Sequence, residues 1–312
     1  MTADNSDPYK SKIAVITGGS RGIGYHVSSA LVDRGTKVVI GSRKEEQGQK
    51  VAKEFNERLG REVAVFLRTD VTRYDDLKAL FALAESKFGG VDYLCIFDIR
   101  KIAIMNAGVV GDKNTCGAFS PLNDENDMFI QNINIGGVIK GNKVALLHMA
   151  KQDKSGVIIN TSSMAGLYTT KGTPQYNASK SAVNGWTAAL NADVYSALNI
   201  RVNAVSPCYV ETDILNDLPD EFSTRKMIEL SSKSSMENCV SAFLHIIEDS
   251  NINGEILGVW PEPLGFRIEP KLPMHPELVP SKEILDYVPE YSEAQDKMNK
   301  EKAAEAIKRA GI

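Results

Sequence analysis

The sequence predicts a single α/β domain: a doubly wound parallel sheet of about seven strands with helices on both faces. Three observations predict it. Short apolar runs alternate with helical patterns along most of the 312 residues. The first run, Lys12-Ile13-Ala14-Val15-Ile16-Thr17, stops at a glycine loop that opens a helix. The connections are short, and β-α-β connections of that kind form right-handed crossovers between parallel strands.

The elements follow in order. Lys12–Thr17 is a continuous apolar run, as suits a strand covered on both faces. Helical periodicity runs from Ile23 to Leu31 and ends at Arg34-Gly35. Lys37–Gly41 reads as a second strand and Lys44–Leu59 as a charged helix. Strand Glu62–Leu67 and helix Tyr74–Phe88 come next, up to a Gly-Gly stop. Helix Ile130–Met149 precedes strand Gly156–Thr161, and helix Gln175–Ala197 precedes strand Arg201–Val205. Gly254–Val259 reads as the last strand. Residues 1–11 form a polar lead and 12–260 the domain. From Pro261 to 312 prolines recur, which predicts an extension wrapped over the surface and ending in a helix, Ser292–Ala310.

Composition excludes several function classes. Hydrophobic residues make up 43%, enough for a sizeable core. The formal charge of −4 does not suit broad binding to nucleic acid or an anionic membrane. No apolar run approaches the ~18 residues of a membrane helix. Cys95, Cys116, Cys208 and Cys239 form no CxxC pair and no metal-ligand spacing with histidine, so no metal is expected. The lead MTADNSDPYK is polar and acidic, unlike a signal or transit peptide, which predicts a cytoplasmic protein.

The loop Thr17-Gly18-Gly19-Ser20-Arg21-Gly22-Ile23-Gly24 lies between a strand and a helix. Glycines there let a pyrophosphate approach the backbone, and the helix N-terminus supplies free N–H groups. Sites for the unphosphorylated nicotinamide cofactor place an acidic residue ~20 positions further on. Gly41-Ser42-Arg43 stands there instead. Ser42 can donate a hydrogen bond, and Arg43 and Arg21 are cations that would attract a ribose phosphate. NADP(H) is therefore expected, with NAD the weaker choice. The competing reading leaves both arginines as solvated surface residues.

Further motifs follow in a fixed order: Asp70-Val71, Asn106-Ala107-Gly108, Asn134 within Asn132-Ile133-Asn134-Ile135, Ser163, and Tyr176-Asn177-Ala178-Ser179-Lys180. With the glycine loop, these resemble the short-chain dehydrogenases/reductases over about Lys12 to Val259, and within that family the 15-hydroxyprostaglandin dehydrogenase-like members. The resemblance implies a Rossmann domain and an oxidoreductase interconverting a secondary alcohol and a ketone. It implies Asn134, Ser163, Tyr176 and Lys180 as catalytic residues. Gly18, Ser20, Arg21, Ile23, Gly24, Ser42, Arg43, Asp70, Val71, Asn106, Tyr176, Lys180, Val210 and Thr212 would contact the cofactor. It also implies a homodimer or homotetramer joined through the two long helices. The similar prostaglandin-type members carry an acidic residue where this chain has Ser42, and use NAD. A nucleotide-binding regulatory protein with an impaired site is the alternative function.

The chemistry needs these residue types. A lysine ammonium ~4–6 Å from a phenol favours the phenolate and lowers a pKa that is otherwise ~10. Tyr176 would then exchange a proton with the substrate oxygen, Ser163 would hydrogen-bond that oxygen, and Lys180 would hold the nicotinamide ribose. Asn134 would anchor a water leading to solvent. The same spacing recurs at Tyr74 and Lys78, read as surface residues because no serine precedes them. Ser162 adjoins Ser163, and strand alternation turns only one of the two toward the substrate. His26, His148, His245 and His275 read as structural. Glu211 to Ser235, with Leu215, Leu218, Phe222, Met227, Ile228 and Leu230, suggests a loop over a small apolar alcohol or ketone.

Two places depart from the pattern. Val91–Ile96 reads as a fourth strand, yet eight residues, Phe97–Ile104, precede Met105-Asn106. Either Ile102–Asn106 is the strand with Val91–Ile96 displaced, or the insertion bulges out, or it is an artefact such as a retained intron. Cys208 replaces a usual glycine; if its φ is positive, the cost is roughly 1–2 kcal/mol.

Overall fold

In a computed structural model, residues 8–10, 12–89, 101–111, 120–152, 155–212, 226, 230–271 and 282–312 are described. Strands β1 (Ile13–Thr17), β2 (Lys37–Ser42), β3 (Ala64–Arg68), β4 (Lys101–Met105), β5 (Gly156–Thr161), β6 (Ile200–Pro207), β7 (Ile256–Val259) and β8 (Phe266–Ile268) form one sheet in the order 3-2-1-4-5-6-7-8. The first seven run parallel, as expected. β8 adds an eighth, antiparallel strand, paired with β7 as Val259 to Phe266 and Leu257 to Ile268.

Side-chain alternation along the strands builds two cores. Ala14, Ile16, Val38, Ile40, Ile102 and Ile104 face one way. They meet Val27 and Leu31 of α1 (Gly22–Asp33), Phe55 of α2 (Glu45–Leu59), and Phe243 and Ile247 of α7 (Met236–Glu248). Val15, Val39, Ala103, Met105 and Ile158 face the other way. There they meet Leu77 and Leu80 of α3 (Tyr74–Phe88), Val144 and Met149 of α5 (Gly136–Lys151), and Val183 of α6 (Pro174–Leu198). Strands buried on both faces leave no polar stripe, which is why they read as continuous apolar runs.

The structure revises several elements. The expected helix Ile130–Met149 is two helices, α4 (Asp124–Asn134) and α5, parted at Ile135 before Gly136-Gly137. Consecutive glycines are poor helix formers, and Gly137 packs so close to Val71 that an added Cβ would lie 2.7 Å from its methyl group. The fourth strand is Lys101–Met105, paired with β1 and β5, so the end of the inserted stretch supplies the central strand. Val91–Ile96 lies outside the described residues. The proline-bearing tail gives the sheet its β8 and then α8 (Lys282–Ala310), ten residues longer at its start than the spacing predicts, with Pro289 inside it. α8 lies along α6 and α5: Ser196 donates to Asp296 at 2.7 Å, and Asn299 donates to the Asp193 carbonyl at 2.7 Å. These are the helices that the resemblance assigns to subunit contact. Among the described residues, no helix is long and apolar enough to cross a membrane.

β1 sits between β2 and β4, where the chain reverses its winding direction. In open α/β sheets a crevice opens at such a switch point, beyond the carboxyl ends of the strands.

Candidate active site

The crevice is a cleft of about 1120 Å³. Its lining includes Gly18, Ser20, Arg21, Ile23, Ser42, Arg43, Asp70, Val71, Asn106, Ser163, Tyr176, Lys180, Val210 and Thr212, so most of the expected site residues share one surface. Gly24 and Asn134 stand behind it.

Loop geometry explains the glycines. Gly18 has φ of +68°, and a Cβ there would lie 3.0 Å from the Ala107 backbone. At Gly24 a Cβ would fall 2.3 Å from the Gly18 carbonyl oxygen and 2.5 Å from Asn106 Nδ2. Gly24 thus lets α1 dock closely on the loop. Asn106 ties the same loop down: its Nδ2 donates to the Gly18 carbonyl at 3.3 Å, and Thr161 donates to its Oδ1 at 3.3 Å.

At the end of β2, Ser20 donates to Ser42 Oγ at 2.9 Å. Arg43, Lys44 and Gln47 continue this lining, and buried Gln47 Oε1 has no hydrogen-bond partner. Burial pushes the Asp70 carboxyl up, but bonds from the Thr72 N–H and hydroxyl, with the Arg43 charge, hold it below the usual carboxylate range. Positive φ in the loop, the start of α1 behind it and the polar lining at the β2 end fit a dinucleotide cofactor.

The side chains expected to take part in proton transfer, Ser163, Tyr176 and Lys180, meet at the other end. Ser163 follows β5; its Oγ accepts from the Ala165 N–H at 3.2 Å and bonds the Pro207 carbonyl at 3.4 Å. Ser162 turns away and donates to the Lys180 carbonyl at 3.0 Å, as strand alternation requires. Tyr176 and Lys180 share a face of α6, and Lys180 Nζ stands 5.7 Å from the centre of the Tyr176 ring. Lys180 Nζ also donates to the Thr161 carbonyl at 2.9 Å. The electrostatics correct the sequence expectation. Burial pushes the Tyr176 phenol up, not down, with the Ser163 hydrogen bond opposing it. Burial pulls Lys180 down to about 8.

Asn134 is fully buried. Its Oδ1 accepts from the Val109 N–H at 2.9 Å, while its Nδ2 donates to the Val109 carbonyl at 2.8 Å and to Ser179 Oγ at 3.0 Å. Its side chain braces the segment after β4 against α4 and α6. Tyr74 is exposed, and Lys78 donates to the Ala310 carbonyl at 2.9 Å, so the second tyrosine–lysine pair serves the surface and the tail. His148 pairs with Glu85 at 2.8 Å, while His26 and His245 pack against Tyr25 and Phe266. Among described residues other than glycine, only Asn199 has a positive φ, so Cys208 carries no such strain. His275, Leu215, Leu218, Phe222, Met227 and Ile228 lie outside the described residues; Leu230 is exposed. Sequence reasoning missed Lys44, Gln47, Tyr168, Tyr209 and Trp260 on the cleft wall. No motif marks them, because the fold brings them in from separate loops.

The Lys180 shift predicts a pH-dependent stability. Its folded value of about 8 lies below the unfolded 10.5. The unfolded chain therefore binds more protons between these values, and stability from this group rises with pH through that window. Below about 8 the benefit is absent. The stability of Lys180→Met relative to wild type should therefore fall by roughly 2 kcal/mol between pH 7.5 and 9.5. Paired urea titrations check this; a pH-independent difference would contradict it.

This geometry defines a class, the NAD(P)-dependent oxidoreductases acting on CH–OH groups. A family model described as short chain dehydrogenase matches residues 12–223, and the chain belongs to that family. It is 30% identical over 252 residues to the 3-oxoacyl-(acyl-carrier-protein) reductase FabG of Chlamydia trachomatis, covering 80% of this chain and 95% of the relative. It is 32% identical to carbonyl reductase family member 4 of Xenopus laevis, covering 80% and 96%. It is 30% identical to the NAD(+) 15-hydroxyprostaglandin dehydrogenase of Bos taurus, covering 80% and 90%. A crystal structure of a short-chain type dehydrogenase/reductase from Mycobacterium marinum matches with a TM-score of 0.69 and 28% identity, over 82% of this chain and 96% of that one.

Proposed function

We propose that the protein is an NADP(H)-dependent carbonyl reductase or alcohol dehydrogenase that interconverts a ketone and a secondary alcohol. The observation that carries the cofactor choice is the end of β2, where Ser42, Arg43, Lys44 and Gln47 line the cleft together with Arg21. A ribose phosphate there meets cations and a hydroxyl, where a carboxylate would repel it.

A bound nicotinamide supplies or accepts the hydride. The rest belongs to the chain. Ser163 hydrogen-bonds the substrate oxygen as its charge changes. Tyr176 gives that oxygen a proton in reduction or takes one in oxidation. With its phenol raised by burial, Tyr176 is available at neutral pH as the proton donor for ketone reduction. Lys180, held by the Thr161 carbonyl, keeps a polar contact beneath the phenol and would hold the nicotinamide ribose. Asn134 fixes the segment carrying Gly108, where an added Cβ would sit 3.5 Å from Lys180 Nζ.

The double substitution Ser42→Asp and Arg43→Ala should shift the kcat/KM ratio of NADPH to NADH toward NADH by about a hundredfold, as expected for a lost charge-assisted phosphate contact replaced by repulsion. An unchanged ratio would overturn the cofactor assignment. NADPH binding without reduction of any ketone in a broad screen would favour the regulatory reading instead.

A further inference from the structure

We infer that the segment after β7 forms the far wall of the substrate end of this cleft. Glu269 is the positioning residue that gives this wall its apolar face, so the site takes a ketone whose distal part is a bulky hydrocarbon or aryl group. The inference rests on the proposed reductase reading for the location of the reacting carbonyl.

The cleft beyond Ser163 and Tyr176 is lined by Met164, Tyr168, Tyr209 and Trp260. Trp260 follows β7, and Glu269 follows β8, so the terminal hairpin sets their relation. Glu269 is only 5% exposed, and its N–H donates to the Ile256 carbonyl at 2.8 Å. Its carboxylate collects the polar edges of the wall. Trp260 Nε1 donates to Oε1 at 2.6 Å, and the Tyr168 hydroxyl reaches Oε2 at 3.5 Å, the outer limit of a hydrogen bond. Arg267 Nε lies 3.5 Å from Oε1, and its guanidinium stacks 4.5 Å from the centre of the Trp260 ring. The neighbouring strand makes room: at Gly258 a Cβ would fall 2.3 Å from Glu269 Oε1. Tyr168 and Trp260 meet edge to face, with centroids 5.7 Å apart.

The consequence concerns what remains for a ligand. The indole N–H is spent on Glu269 and the phenol hydroxyl points to it. The rings then present carbon to the cleft. An apolar group placed there gains by burial and ring contact. A polar group would lose water and find no partner on these rings. Released from Glu269, the indole would be held only by its ring contacts with Tyr168 and Arg267, and its edge would no longer be fixed.

The test compares two ketones with the same methyl ketone group, butanone and benzylacetone, on the full-length protein. Calorimetry with saturating NADP+ gives affinities without turnover, and kcat/KM with NADPH gives rates. Wild type should favour benzylacetone about a hundredfold. Trp260→Ala should cut that preference about tenfold, and Trp260→Phe should keep it within about threefold. Glu269→Leu should cut it about tenfold in the wild-type background but less than about threefold in the Trp260→Phe background, where there is no N–H to hold. Equal Glu269→Leu effects in both backgrounds, or a wild-type preference below about threefold, would overturn the inference. Circular dichroism checks folding; if Glu269→Leu does not fold, the Trp260→Ala and Trp260→Phe pair still decides the point. Binding preference without reduction would sink the reductase reading and leave the wall standing. Reduction of both ketones at equal efficiency would do the reverse.

Discussion

Replacing Tyr176 with Phe is expected to lower kcat for ketone reduction about a thousandfold, within the range for loss of a positioned proton donor. NADPH binding, followed by fluorescence titration, should change by less than about threefold, because one oxygen is removed and the ring stays packed on α6. The magnitude corresponds to roughly 4 kcal/mol of transition-state stabilisation. Neither Ser163 nor Lys180 replaces the lost group. Ser163 is assigned to hydrogen-bond the substrate oxygen itself, and Lys180 Nζ is turned to the Thr161 carbonyl. The raised phenol also gives the direction of the pH effect. Reduction needs the protonated form and should hold its rate into the alkaline range, while alcohol oxidation should accelerate as pH rises. Retained turnover in Tyr176→Phe would remove the tyrosine from the reaction.

Much of this was legible because the relevant signals are local. β1, its glycine loop and α1 occupy one stretch, and Tyr176 and Lys180 lie one helical turn apart. Local spacing alone did not suffice, since Tyr74 and Lys78 repeat it on an exposed face. Upstream Ser163 made the difference, and the fold brings it to the phenol. The opposite case is the aromatic wall: Tyr168 and Glu269 are 101 residues apart and meet only through the sheet. β8 was illegible for another reason. It has three residues, Phe266 only partly buried and the next two exposed, too short for a period-two pattern. The break between α4 and α5 was written in Gly136-Gly137 but masked by apolar periodicity on both sides. The direction of the Tyr176 shift was missed because spacing shows the neighbouring charge, whereas desolvation depends on everything packed around it.

Arg201 illustrates the same limit and sets the largest stability effect. Arg201 stands between Ile200 and Val202 in β6 and is only 3% exposed, which the strand reading Arg201–Val205 does not convey. Its Nη1 donates to the carbonyls of Ile246 at 3.0 Å, Asp249 at 3.2 Å and Ile252 at 2.6 Å, and Nη2 donates to Ile246 at 3.0 Å. Burial pulls its pKa down to about 10, so the guanidinium stays charged at neutral pH. One cation therefore closes the turn that leads from α7 to β7. Ile252 also accepts from Asn203 at 3.1 Å, and Asp249 from the Ile252 N–H at 3.3 Å, so the loss in Arg201→Leu falls mainly on the Ile246 carbonyl. Bonds to charged donors contribute about 1.5–3 kcal/mol each, partly offset here by the apolar leucine, so the net cost should be about 3 kcal/mol. Urea unfolding should show a lower midpoint with an unchanged m-value. A change below about 1 kcal/mol would show that the turn holds without its cation. Because β7 leads directly into Trp260, the same variant should also weaken benzylacetone binding more than NADPH binding. This separates a local loosening of the hairpin from a general loss of the fold.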